Sequence, residues 1–378
     1  MQSSRRWIAA LLLVFATVCA ADASAQGADG KIAFSRYVYY PGGELRHVNL
    51  YSINADGSGF RQLAPTIERH FRFDPAWSPH GTYLAYTLAT GPGAEDWNIW
   101  RVDANGTTRR QLTRGAPDFR YPSWNPAGTL IGFLSTAAGG ATCVGVVRPD
   151  GTGQRNLVCA PAGSEMQETA PFWLPDGRML VVVRRIEQDP DRPPDTFLDV
   201  YRITVSTGQS TLVRSVEAGG EYALFFAPDG RRAMISTRYE GTMLVYVDLE
   251  TGELRGGFPP GYSPVWSPDS RRIAYAHLVL PAGFPTDDVG HVLVSDVNIP
   301  EDRRDLNVAM TPGLHYVPNG WSPDGTRILA TRTIYAPAAP GSGLYLPHHT
   351  LRLLDADTPY IDTLVSGLAE MDAWFSPP

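Results

Sequence analysis

The chain has 378 residues, 43% of them hydrophobic and 19% charged, with no long charged or low-complexity tract. That balance suits a packed core and excludes a chain disordered throughout. The net charge of -7 excludes a general nucleic-acid or anionic-membrane surface, because binding phosphate needs a basic footprint.

The first segment reads as a leader. Arg5 and Arg6 make a positive start, Ile8 to Val18 is an apolar stretch too short to span a bilayer, and Ala23-Ser24-Ala25 offers a cleavage site. Residues 1–25 are expected to be a signal peptide. Residues 26–378 are expected to form one exported domain, periplasmic or secreted, with no transmembrane segment. Cys19 follows Val18, where a lipidation site wants a smaller residue. The Arg5-Arg6 pair leaves both the general and the twin-arginine export routes open.

Past the leader the chain is punctuated evenly by 37 glycines and 32 prolines, which means many tight turns between short strands. Asp29-Gly30 opens a turn, and Lys31 to Phe34 reads as a strand. Tyr51 to Ile53 and Arg61 to Leu63 read as two more. Then a phrase appears that the rest of the chain repeats: a small apolar lead-in, an aromatic, a turn of the Ser-Pro-Asp-Gly type, and an apolar strand. Its copies centre on Trp77, Trp124, Trp173, Phe226, Trp266, Trp321 and Trp374. Successive aromatics lie 47, 49, 53, 40, 55 and 53 positions apart, the period of a four-stranded propeller blade.

Within each unit the aromatic closes strand A and the Pro-Asp-Gly turn leads into strand B, as in Tyr83 to Tyr86 or Arg272 to Tyr275. Strand C follows a variable stretch, as in Asn98 to Val102. A second tight turn such as Asn105-Gly106 leads to strand D, as in Arg110 to Thr113. Cys143 and Cys159 each lie eight positions from Gly151, so they face each other across one such turn and are expected to form a disulfide in an oxidising compartment. No amphipathic helix is expected in the mature chain.

The C-terminus supplies a strand A around Trp374 and stops. The N-terminus opens with the turn and strand B that should follow. The expectation is therefore an all-β fold: a seven-bladed β-propeller of four-stranded antiparallel blades, one of them closed by both termini, with Trp374 and Ile32 in one sheet. The recurring aromatics are expected to be wedges between blades rather than a ligand platform.

The W-S-P-D-G core and the trailing Asp-Gly and Arg-Gln-Leu-Thr, clearest from Trp77 to Thr113, resemble the TolB-type repeat family of propellers across the whole mature chain. The resemblance implies a propeller. It leaves function open, because the family includes envelope adaptors, propeller halves of oligopeptidases and sugar-acid lyases. TolB itself carries an α/β domain ahead of its propeller, whereas here the repeats begin within a few residues of the expected cleavage site. The adaptor role is therefore not directly implied.

Short stereotyped turns join A to B and C to D. Longer insertions, Thr90 to Asp96, Glu187 to Phe197, Pro281 to Asp288 and Pro337 to His348, join B to C on the opposite face. The D-to-A connections reach that same face and are polar. The expected ligand-binding residues come from them: His70, Arg72, Asp118, Arg120, Glu165, Glu168, Glu221, Tyr262, His315 and Asp372. If the ring closes they converge on one funnel, or they form a solvated face with local pairs such as Asp118 with Arg120. No nucleophile elbow, zinc spacing or phosphate loop occurs, so no catalytic residue, metal or cofactor is assigned. The leading expectation is a monomeric binding or scaffold protein for an envelope protein, a peptide or a small polar ligand. The alternative is a metal-assisted lyase or hydrolase using His70 and His315, with Glu165, Glu221 or Asp372 beside them.

Overall fold

The repeated turn folds because its own side chains satisfy its backbone. Ser267 Oγ accepts from the Arg272 N–H at 2.8 Å and donates to the Asp269 carboxylate at 2.6 Å. Ser322 does the same with Arg327 at 2.9 Å and Asp324 at 2.5 Å. The turn closes on a left-handed residue, Gly81 (φ 64°) or Gly325 (φ 71°), where glycine carries no Cβ penalty. The strands that these turns join are β-branched and aromatic, and they pair as antiparallel hairpins.

The computed structural model describes residues 17–18, 31–39, 45–91, 96–115, 118–137, 139–189, 192–218, 222–237, 243–279, 289–306, 314–337, 345–358 and 362–364. Strand β1 (Thr17–Val18) precedes a first unit of β2 (Lys31–Tyr39), β3 (Leu45–Asn54) and β4 (Arg61–Gln62). The second unit is β5 (His70–Trp77), β6 (Tyr83–Thr90), β7 (Asp96–Asp103) and β8 (Arg109–Gln111). The third is β9 (Phe119–Trp124), β10 (Ile131–Thr136), β11 (Thr142–Val147) and β12 (Arg155–Cys159). The fourth adds β13 (Ser164–Met166) to β14 (Phe172–Trp173), β15 (Met179–Asp189), β16 (Arg192–Thr204) and β17 (Gln209–Ala218). The fifth is β18 (Tyr222–Phe226), β19 (Arg232–Thr237), β20 (Leu244–Asp248) and β21 (Leu254–Arg255). The sixth is β22 (Tyr262–Trp266), β23 (Arg272–Val279), β24 (Val289–Asp296) and β25 (Arg303–Asp305). The seventh is β26 (Leu314–Trp321), β27 (Arg327–Pro337), β28 (Tyr345–Asp355) and β29 (Asp362–Leu364).

The fold is all-β. No described residue is helical, and no helix is long and apolar enough to cross a membrane. Single parallel bridges, Val48 opposite Phe71 and Gly290 opposite His315, tie the first unit to the second and the sixth to the seventh. Apolar side chains fill the space between units. Ala33, Leu50, Trp77 and Leu84 pack the first against the second. Leu174, Leu198, Leu224 and Ile235 pack the fourth against the fifth. Ile32, Phe34 and Tyr51 of the first pack on Leu329, Leu351 and Leu353 of the seventh. Trp77 lies in the first of these interfaces and Phe226 packs against the second, as wedges should.

Two expectations change. Glu187 to Phe197 and Pro337 to His348 were expected as loops. Instead β15 and β16 stay paired out to Asp189 opposite Arg192, and β27 and β28 out to Pro337 opposite Tyr345. Pro193 and Pro194, which cannot donate, fall where the β15–β16 register slips, so the ladder continues past them. The expected partner of Ile32, Trp374, lies outside the described residues, as does the insertion at 281–288. Ile32 itself pairs with Val18 of β1. Cys143 and Cys159 are opposite each other in β11 and β12 and are joined by a disulfide.

Candidate functional site

The residues with the most suggestive arrangement lie in the first three units, at the strand ends that meet the B–C and D–A connections. Phe73 comes four residues into β5, Trp97 two into β7 and Arg120 two into β9, and Tyr37 is near the end of β2. Their side chains form a ladder. Tyr37 and Phe73 have ring centroids 6.0 Å apart, and Phe73 stacks on Trp97 at 5.5 Å. The Arg120 guanidinium lies 3.8 Å over the Trp97 ring and bonds Asp118 at 2.9 Å. Every member is partly exposed; the Arg120 and Asp118 side chains are 32% and 28% accessible, so this ion pair remains reachable. Stacking on indole suits a guanidinium because the ring face is electron-rich.

Strained backbone sits directly beside the ladder. Asp74 (φ 52°) and Tyr121 (φ 56°) are left-handed although neither is glycine, and each comes three residues before the tryptophan of its unit and one before a proline. Ser263 (φ 52°) repeats the feature in the sixth unit. In the second and sixth units the register of strand A slips across this residue. The Asp74 carboxylate accepts from Thr87 Oγ1 at 2.9 Å and from the Tyr121 N–H, which fastens the second unit to the third at the point of strain. Burial pushes its carboxyl up to about 6, against the opposing pull of Thr87, Tyr121 and Arg120.

The other expected residues are placed as follows. Arg72 is 1% exposed, with its guanidinium on the carbonyls of Val48 (3.3 Å) and Pro65 (3.0 Å). His70 is partly buried, and burial together with Arg72 lowers its pKa. Glu165 and Glu168 belong to the fourth unit's face; both are exposed, and Glu165 pairs with Arg184. Tyr262 lies in β22 and His315 in β26, both partly buried. Glu221 and Asp372 lie outside the described residues. The structure therefore brings Asp118 and Arg120 together, and their neighbours are aromatic. Sequence reasoning passed over Tyr37, Phe73 and Trp97. The available signal was Trp97, an aromatic outside the repeat directly after a B–C insertion.

Among the described residues, no group of three or more His, Cys, Asp or Glu side chains is placed to hold a metal ion.

No protein-family model matches the chain. No curated protein matches it either. Among solved structures it is similar to the β-propeller domain of the Trilobed protease from Pyrococcus furiosus, at 13% identity and a TM-score of 0.60, over 94% of this chain and 99% of that one. It is also similar to puromycin hydrolase, at 16% identity and a TM-score of 0.60, over 92% of this chain and 54% of that one. A third is the oligogalacturonate lyase from Vibrio parahaemolyticus, at 12% identity and a TM-score of 0.57, over 89% of this chain and 86% of that one. This chain thus spans about half the length of the puromycin hydrolase. TolB from Acinetobacter baumannii overlaps with a TM-score of 0.45, too loosely to bear on this chain. At these identities the likeness establishes the β-propeller fold.

Proposed function

We propose that this chain is an exported, monomeric binding protein whose loop-bearing face holds an envelope protein, a peptide segment or a small polar ligand. The observation that carries the reading is the ladder of Tyr37, Phe73, Trp97 and Arg120, crossing three units and ending in the accessible ion pair with Asp118. Aromatic surface with one arginine and one carboxylate at its end is the composition of a peptide-recognition patch, and a rigid β scaffold positions it. The disulfide between Cys143 and Cys159 supports export, as does the leader.

The same reading takes the seven units as a closed ring, in which the segment around Trp374 completes the first blade. The apolar cluster between the first and seventh units supports it.

The test is a photoreactive residue at position 97 in cells that export the protein. Adducts that vanish with Arg120→Glu and persist with Asp357→Asn, far from the ladder on a C–D turn, support the reading. Adducts indifferent to Arg120→Glu overturn it.

A further inference from the structure

The turn between strands A and B carries an aspartate in the last four units: Asp176, Asp229, Asp269 and Asp324. In the second and third units His80 and Ala127 stand at that position. The acid is missing where arginines gather. Arg61 of the first unit, Arg109 and Arg110 of the second, and Arg148 and Arg155 of the third lie on the C–D turns or on the outer strands that leave them, and all five are exposed. Among the described residues, no carboxylate forms an ion pair with any of them. Elsewhere on the same side the arginines are neutralised: Arg178 by Asp176, Arg232 by Asp229, Arg255 by Glu253 and Arg304 by Asp357.

The five arginines belong to one surface because the units interlock there. Arg61 Nη1 donates to the carbonyl of Asn105 in the next unit's turn at 3.0 Å, and Arg101 Nε donates to that of Pro149 at 2.6 Å. The backbones close up at the turn glycines. A Cβ on Gly106 would stand 3.2 Å from Leu63 Cα, and one on Gly151 would stand 3.3 Å from the Gln111 carbonyl oxygen. The aspartates of these turns are engaged locally, Asp56 with Ser58, Asp103 with Thr107 and Asp150 with Thr152. Asp150 lies within the field of Arg110 and Arg148, which come from adjacent units.

Guanidinium groups without counter-charges across three units suit a ligand that carries several carboxylates, because each fork can hold a carboxylate with two parallel N–H bonds. We infer that this band is a second docking surface, which takes an acidic, Asp- and Glu-rich polypeptide segment along the outer strands of the first three units. It is separate from the ladder, which lies at the opposite ends of the strands. A flat anionic membrane does not fit, because the same side exposes Glu250, Glu301 and Asp302 on the fifth and sixth units. A narrow chain follows the band and misses them. The attraction acts before close contact and is screened by salt.

The experiment follows the fluorescence anisotropy of labelled poly-L-glutamate as the purified full chain is added. Binding should weaken about tenfold as salt rises from about 50 to about 300 mM. Arg110→Glu with Arg148→Glu should weaken it about tenfold at low salt. Arg271→Glu with Arg303→Glu, which changes the net charge equally on the exposed surface of the sixth unit, should change it less than about twofold. Circular dichroism checks that each variant is folded. If the first pair unfolds, Arg110→Gln with Arg148→Gln is compared with Arg271→Gln with Arg303→Gln by the same criterion. No binding at low salt, or equal losses in the two pairs, overturns the docking surface. Tighter binding to phosphatidylglycerol vesicles than to poly-L-glutamate overturns the polypeptide as partner. Arg120→Glu should leave poly-L-glutamate binding unchanged; its loss places the acidic ligand on the ladder and overturns the band, whereas cross-linking from position 97 tests the ladder alone.

Discussion

The indole N–H of Trp124 donates to the carbonyl of Ala76, 3.0 Å away and 48 residues earlier in the chain. Ala76 directly precedes Trp77, the aromatic of the previous unit. The same bond joins Trp173 to Ser123 (3.1 Å), Trp266 to Phe225 (2.8 Å) and Trp321 to Val265 (3.0 Å). Each tryptophan therefore fills the interface and also fixes the height of its unit against the one before. A wedge of leucine or phenylalanine could do only the first.

Trp124→Phe should keep the wedge and lose the bond, costing about 1 kcal/mol. Phe226, which has no N–H, is the natural converse. In the shared register, a tryptophan there would donate to the carbonyl of Phe172, and Phe226 is only partly buried beside a cavity of about 10 Å³. Phe226→Trp should raise stability by about 1 kcal/mol in urea unfolding. A loss would mean that the fifth unit sits at a different height.

Asp74 makes the protein less stable as its carboxyl ionises. Its folded pKa, raised to about 6 by burial, lies above the unfolded value of about 3.9. The folded state thus holds the extra proton between those values, and stability from this group falls as pH rises from 4 to 6, then levels. Asp74→Asn keeps an oxygen for the Tyr121 N–H and should remove that slope, gaining up to about 3 kcal/mol at pH 7. Denaturation midpoints from pH 3.5 to 7.5 check it; an unchanged slope rules the assignment out.

At the turns the sign reverses. Asp176 is held below the ordinary carboxylate range by its side-chain bond to Arg178 and by the Arg178 N–H, and Asp150 by its bonds to Thr152. Their contribution is present above the unfolded pKa and is lost as pH falls through the lowered values. Asp176→Asn should therefore flatten the acid limb of the stability curve, lowering stability by a constant amount above about pH 5 and leaving the lowest pH unchanged.

Ser270 stands where the repeat has glycine, at φ 59°, and its Oγ accepts from the Asp229 N–H at 3.0 Å. Ser270→Ala keeps the strained backbone and orphans that N–H, so it should cost about 1–2 kcal/mol. Ser270→Gly loses the same bond but relieves about 1 kcal/mol of left-handed strain, so it should be milder. Equal losses would mean that the bond alone matters.

The disulfide closes a loop with a sequence separation of 16, for which chain entropy gives about 3 kcal/mol. Cys143→Ser with Cys159→Ser should lower stability by that order in non-reducing buffer, and reductant should have little further effect on the double variant.

The sequence by itself determined the all-β repeat, the position of each aromatic, the turn chemistry and the Cys143–Cys159 pair. These signals are local: a Ser, Asp or Gly satisfies its own turn within five residues, and the period counts the units. The site was another matter. Arg72 and Arg120 look alike in the chain, each in a polar lead-in ahead of a tryptophan. Only the tertiary structure buries Arg72 under the carbonyls of Val48 and Pro65 and lays Arg120 over Trp97. The reason is that the direction of a side chain at the head of strand A depends on the left-handed residue that follows and on the neighbouring unit it meets. Positions 37, 73, 97 and 120 share a surface because three separate units are packed side by side, and no spacing within one unit records that.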